Sequence, residues 1–184
     1  MARDDQHPGI RPRLTLGRRL DIAARYAFPA CVTVVLMLVV EVPLRLALQT
    51  ALLPAVALIS VWFWSVYRPI AMAPPVVFLI GLLLDLRGYL PLGVGVLTLL
   101  IAHGISQRWR RFLMQQGFAM TWLAFLPIAT GGAALIWVLT ALLTFRLLPL
   151  GPALFLAVLS FALYPVLAMP LTVAHRSLAD PEQA

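Results

Sequence analysis

Six apolar stretches, separated by short polar or proline-bearing breaks, fill the chain from Tyr26 to Ala174. They are Tyr26–Leu46, Leu48–Tyr67, Ile70–Leu86, Leu92–Ser106, Phe118–Leu143 and Pro152–Ala174. A helix that crosses a bilayer needs about 20 predominantly apolar residues, with a range of about 17–25. Soluble domains are about 45–50% apolar and about 25% charged; here 62% of residues are hydrophobic and 11% charged. A soluble core does not hide that much apolar surface. The expected fold is an all-α integral membrane protein, a bundle of six transmembrane helices over residues 26–174, with a basic segment before it (residues 1–25) and a short tail after it (175–184).

The breaks have physical causes. At Arg68–Pro69 the proline disfavours helix in the residue before it. At Gln107–Arg111 the run QRWRR brings three arginines together. The third and fourth stretches are the shortest and lie closest together. A re-entrant hairpin shielded by protein is the alternative to two full spans there, and charge counting does not separate the two.

All 14 basic residues are arginine, and acids number seven. In six spans with the first end inside, eleven arginines fall on the cytoplasmic side (Arg3, Arg11, Arg13, Arg18, Arg19, Arg25, Arg68, Arg108, Arg110, Arg111, Arg176) and three outside (Arg45, Arg87, Arg146). This positive-inside bias places both termini in the cytoplasm. The N-terminal segment does not read as a cleavable signal. Its stretch Leu14–Tyr26 is expected to form a short helix along the inner surface, where arginines attract anionic lipid, and residues 2–12 read as disordered. No basic surface interleaved with aromatics points to nucleic acid.

Two charges interrupt the apolar pattern in GLLLDLRGYLPLG (Gly81–Gly93): Asp85 and Arg87. By topology they sit near the outer mouth with Glu41 and Arg45, an i,i+4 pair in the favourable order. Asp85 is expected to pair with Arg45 or Arg87 and fix the outer helix ends, the alternative being four solvated interface charges. Gly81 shares a helix face with Asp85, and Gly93 with Gly104. Such small residues let helices approach closely in lipid, so the third and fourth helices are expected to pack tightly, with Gly88 making the turn between them.

Prolines 54, 74, 75, 127 and 165 are expected to bend their helices. His103 reads as a satisfied core histidine, since a proton relay wants a carboxylate partner and none is near in sequence. His175 suits the end of the last helix. Trp62, Trp64, Tyr67, Trp109 and Trp122 read as an aromatic belt at the cytoplasmic interface, and Cys31 as a small buried hydrophobe. There is no Ser/His/Asp set, HExxH, phosphate loop, metal-ligand cluster or carboxylate pair. Neither an enzyme nor a cofactor is expected.

The tripeptide YRP at 67–69, followed by FLIGLLLDLRGYLPLGVGVLTLLIAH (Phe78–His103), resembles the rod shape-determining protein MreD family. That family shows an arginine- or aromatic-proline start, a GLLxDL segment, a G…LG turn and then an apolar helix. The likeness covers Tyr67–His103; the rest agrees in hydropathy alone, and Pro91 in LRGYLPLG departs from the pattern. Arg68, Pro69, Gly81, Asp85, Gly88 and Gly93 fall on the motif. The resemblance implies a non-catalytic scaffold of the cell-elongation machinery in the bacterial inner membrane. Its implied partners are an MreC-like single-span protein and, in the wider assembly, the MreB filament, a RodA-type glycosyltransferase and a class B penicillin-binding protein. A vitamin-binding subunit of an energy-coupling-factor transporter is the alternative. It needs an outward pocket with polar groups, for which Glu41, Arg45, Asp85, Arg87 and Arg146 are the candidates.

Overall fold

Runs of leucine, valine and alanine with few polar interruptions have one way to satisfy their backbone in an apolar solvent, which is to close every hydrogen bond within a helix. The computed structural model describes residues 16–41, 49–88 and 90–179, and these form six helices with no strand among them. They are α1 (Leu16–Val40), α2 (Gln49–Tyr67), α3 (Pro74–Arg87), α4 (Val94–Met114), α5 (Phe118–Thr144) and α6 (Gly151–Ala179).

α2 is the axis of the bundle and touches all five other helices. Its apolar window is 78% buried inside the protein, against 17% for α5 and 33% for α6. A helix that is hydrophobic all round belongs in a core or a membrane; α2 takes the first place, and α5 and α6 turn their apolar sides outward. Leu123, Leu142, Leu143, Leu154, Val158, Val166, Met169 and Val173 are all exposed. Water does not tolerate so continuous an apolar surface on a monomer. α2, α5 and α6 are each long and apolar enough to cross a membrane, which indicates a membrane protein.

Several local expectations change. The segment from Leu16 to Tyr26 is not a separate surface helix: α1 runs through it without a break into the apolar stretch. Pro74 and Pro75 do not bend a helix but start α3 at its first two positions, where the missing N–H costs nothing and φ is preset. QRWRR does not end α4, which continues to Met114; arginine is a good helix former, so the charges limit the apolar stretch and not the helix. Pro29, Pro54, Pro127, Pro165 and Pro170 all lie inside continuous helices.

Trp62 and Trp64 are not belt residues. At 2% and 0% exposure they form the heart of the core, Trp62 beside Phe125 and Trp64 against Phe63 and Phe28. Trp109 is exposed, while Trp122 stacks on Phe161 and donates its indole N–H to the Phe161 carbonyl at 3.0 Å. Cys31 is exposed on α1 rather than buried. His103 is buried, with Nδ1 2.7 Å from the Ser65 hydroxyl, the satisfied core histidine that the sequence suggests.

Candidate functional site

The motif region folds into a hairpin of α3 and α4. Gly81 sets the distance between them: a Cβ placed there would stand 2.6 Å from Val96 Cα, so only glycine lets the two backbones come this close. The close approach expected of Gly81 is present. Gly104 has no such role, with nothing within 4 Å of a Cβ built on it.

The first four N–H groups of a helix lack partners within it, and the N-cap residue of α4 is Gly93, which has no side chain to help. Asp85 supplies the missing carboxylate from the neighbouring helix. Its Oδ2 accepts from the N–H of Gly93 at 2.8 Å and of Val96 at 3.3 Å, and its Oδ1 from Gly95 at 2.7 Å. Val94 N–H goes to the Pro91 carbonyl at 3.2 Å. All four donors are thereby met. An N-cap side chain ordinarily serves the second and third helical N–H groups, and a capping-box acid reaches back to the N-cap itself; Asp85 does both from outside the helix. Its negative charge also faces the positive end of the α4 dipole. The residue is 4% exposed, so its oxygens are committed to the hairpin.

Asp85 therefore does not pair with Arg87. Arg87 forms its ion pair with Glu41 at the end of α1, a partly exposed contact. Arg45 lies outside the described residues, and with it the expected Glu41–Arg45 and Asp85–Arg45 pairs. The turn also differs in its glycines. Gly88 has φ −82° and ψ 175°, an extended conformation, and its N–H caps the Leu84 carbonyl at 2.7 Å. The left-handed residue is Gly93, at φ 96°.

Gly95 is a site residue that the sequence reading passed over. A Cβ there would collide with Asp85 Oδ1, so its glycine makes room for the carboxylate as Gly81 makes room for Val96. The signal was available: an acid ten residues before a glycine, across a short turn. Sequence spacing measures distance along one helix, however, and this contact joins two.

The structure thus gathers Glu41, Gly81, Asp85, Arg87, Gly88 and Gly93 along one hairpin and its neighbour. Arg68 and Pro69 are not with them. They lie in the turn before α3, at the other end of that helix, where the Arg68 Nε donates to His175 Nδ1 at 3.3 Å.

Beside the hairpin a cavity of about 240 Å³ opens between α2, α5 and α6. Leu84, Leu90, Ile136 and Leu156 line it, with Thr50, Trp137 and Thr140 as its polar residues. The Trp137 indole is already bonded to the Leu148 carbonyl at 3.1 Å, while the buried Thr140 hydroxyl has no partner among the described residues. Among those residues no three histidine, cysteine or acidic side chains come together as a metal site. Buried, backbone-bonded Asp85 has neither the access nor the partner that acid–base work requires. What the arrangement offers is a rigid helical hairpin at one end of an apolar bundle. Comparison with family models, curated proteins and solved structures finds no match for this chain.

Proposed function

We propose that the chain is a non-catalytic scaffold of the bacterial inner membrane that crosses it six times with both termini in the cytoplasm. It resembles the MreD family and serves the cell-elongation machinery through an MreC-like single-span partner. The observation that carries this reading is the α3–α4 hairpin. The GLLxDL and G…LG residues of the resemblance are the ones that shape it, through Asp85 on the start of α4 and Gly81 on Val96. A hairpin fixed from within needs no ligand to hold its form, which suits a surface that other helices dock against. The outward apolar faces of α5 and α6 are surfaces for lipid or for partner helices, which associate in membranes by close packing.

The transporter reading requires an outward pocket with polar groups. The cavity beside the hairpin has one buried, unpartnered hydroxyl among the described residues and otherwise mostly carbon, with no charged residue in its lining, and Asp85, Glu41 and Arg87 are engaged with backbone or with one another. This favours the scaffold.

The test is affinity purification in mild detergent from the native bacterium, with the eluate identified by mass spectrometry. The scaffold predicts recovery of a single-span protein with a periplasmic domain, together with cell-wall synthases of the glycosyltransferase and penicillin-binding classes. An ATPase pair with a membrane coupling subunit in their place would overturn it.

A further inference from the structure

At the end of the bundle opposite the Asp85 hairpin lies a larger cavity, about 470 Å³, within the range of about 300–1,000 Å³ found for small-molecule sites. Three elements contribute an arginine to its wall: Arg25 from α1, Arg68 from the turn after α2, and Arg110 from α4. All three are half-buried, and no acidic residue lines the cavity among the described residues.

Two of these arginines are held in place by their Nε atoms. Arg110 Nε donates to the Val66 carbonyl at 2.8 Å, one of the carbonyls that the last turn of α2 leaves over. Arg68 Nε donates to His175 Nδ1. Nε is the guanidinium nitrogen nearest the stem. A bond at Nε fixes the plane of the group and leaves the outer fork of two amino groups for another acceptor. That fork matches two oxygens of a phosphate or carboxylate. Arg108 and Arg111, next to Arg110 on α4, are exposed and outside the cavity. The cavity arginines are set apart by this seating, and basic composition alone does not account for it.

The opening has the character of a membrane boundary. Tyr26 and Ile70, 48% and 75% exposed, rim the cavity, and exposed Trp109 precedes Arg110 on α4. Amphipathic aromatics prefer the headgroup level. We propose that this cavity binds a phosphate group through Arg68 and Arg110: the headgroup phosphate of an anionic phospholipid, or free phosphate. The inference does not rest on the α3–α4 hairpin that carries the scaffold reading.

The experiment is thermal unfolding of delipidated protein in neutral detergent. Phosphatidylglycerol, phosphatidylcholine or inorganic phosphate is titrated at constant ionic strength. Four proteins are compared: the unaltered chain, Arg68→Gln, Ile70→Glu, and the double variant Arg108→Gln with Arg111→Gln. Ile70→Glu adds a carboxylate to the rim at an exposed position and removes no hydrogen bond, so it carries the test even where Arg68→Gln unfolds.

Phosphatidylglycerol is expected to raise the melting temperature. The half-saturating concentration should rise by about tenfold in Arg68→Gln and Ile70→Glu, the scale of one charge-assisted hydrogen bond, and stay unchanged in the double variant. A matching response to inorganic phosphate, abolished by Ile70→Glu, assigns the site to free phosphate; a response to phosphatidylglycerol alone assigns it to the lipid. Equal losses in the double variant and in Ile70→Glu would mean diffuse surface attraction and overturn the proposal. So would an absence of response to both phosphatidylglycerol and phosphate, or a response of Ile70→Glu equal to that of the unaltered chain.

Discussion

The two ends of the bundle handle charge in opposite ways. At the hairpin end acids are present, and the structure uses them: Asp85 binds the backbone of α4 and Glu41 binds Arg87. At the other end arginines converge from three elements, and two of them, Arg68 and Arg110, are steadied by neutral acceptors, an imidazole and a carbonyl. The first arrangement satisfies itself. The second sets Arg68 and Arg110 in the wall of a cavity that no acid lines among the described residues. The difference teaches that charge near a membrane-embedded bundle is informative through what it is bonded to. By composition both ends are interface charge; by partner, one is architecture and the other is a receptor for an anion.

The largest effect should come from the hairpin end. Gly81→Leu puts side-chain atoms where Val96 Cα stands, and overpacking against backbone is expected to cost about 3 kcal/mol or more. Unfolding in detergent measures it, and a stability near that of the unaltered chain would mean that the hairpin is loose. Asp85→Ala comes next. It leaves three N–H groups of α4 without their acceptor and should cost about 2 kcal/mol, with Asp85→Asn, which keeps one acceptor oxygen, near half of that. A larger loss for asparagine than for alanine would show that the carboxylate does something other than cap.

The opposite end should be less sensitive in stability. Arg110→Gln loses the bond to the Val66 carbonyl, for about 1 kcal/mol, while exposed Arg111→Gln should stay within about 0.5 kcal/mol of the unaltered chain. Equal values would remove the distinction between seated and free arginines. Arg87→Gln should also be a small change. Its pair with Glu41 is partly exposed, and such pairs contribute about 0–1 kcal/mol. A double-mutant cycle with Glu41→Gln that returned a coupling well above this range would make the pair a structural clamp in its own right.

Much of this fold is legible in the chain because lipid imposes a coarse code. Apolar length marks where helices lie, and Arg68–Pro69 marks a break between them, though α4 runs straight through the QRWRR arginines. The close approach at Gly81 was also readable, although Gly104, a helix-face glycine read in the same way, makes none. What escaped the sequence is what depends on the third dimension. Trp62 and Trp64 look like interface residues because they stand near the end of an apolar run. They are core residues because α2 is central, and centrality is set by the five helices around it. Asp85 suggested a salt bridge because arginines are near in sequence. Its real partners are backbone N–H groups, which every residue has and no sequence pattern marks. The positive φ expected of Gly88 falls on Gly93 for a similar reason: either serves a turn, and the choice follows from the acceptor each N–H must reach, the Leu84 carbonyl for Gly88 and the Asp85 carboxylate for Gly93.

The reach of Asp85 across the hairpin bears on how this chain enters a bilayer. α3 has 14 residues, about 21 Å at 1.5 Å per residue, against a hydrocarbon core of about 30 Å. Alone it is too short to settle across the membrane, and its lone carboxylate would be costly there. Once α4 has emerged from the ribosome, the same carboxylate meets the bare amides at the start of that helix, the cost of its burial falls, and the short α3 gains a partner helix to enter with. If the chain crosses the bilayer six times as proposed, α3 and α4 insert as a single cargo. A chain truncated after Gly88 should leave α3 stranded outside the lipid, and one that extends through α4 should carry both helices in.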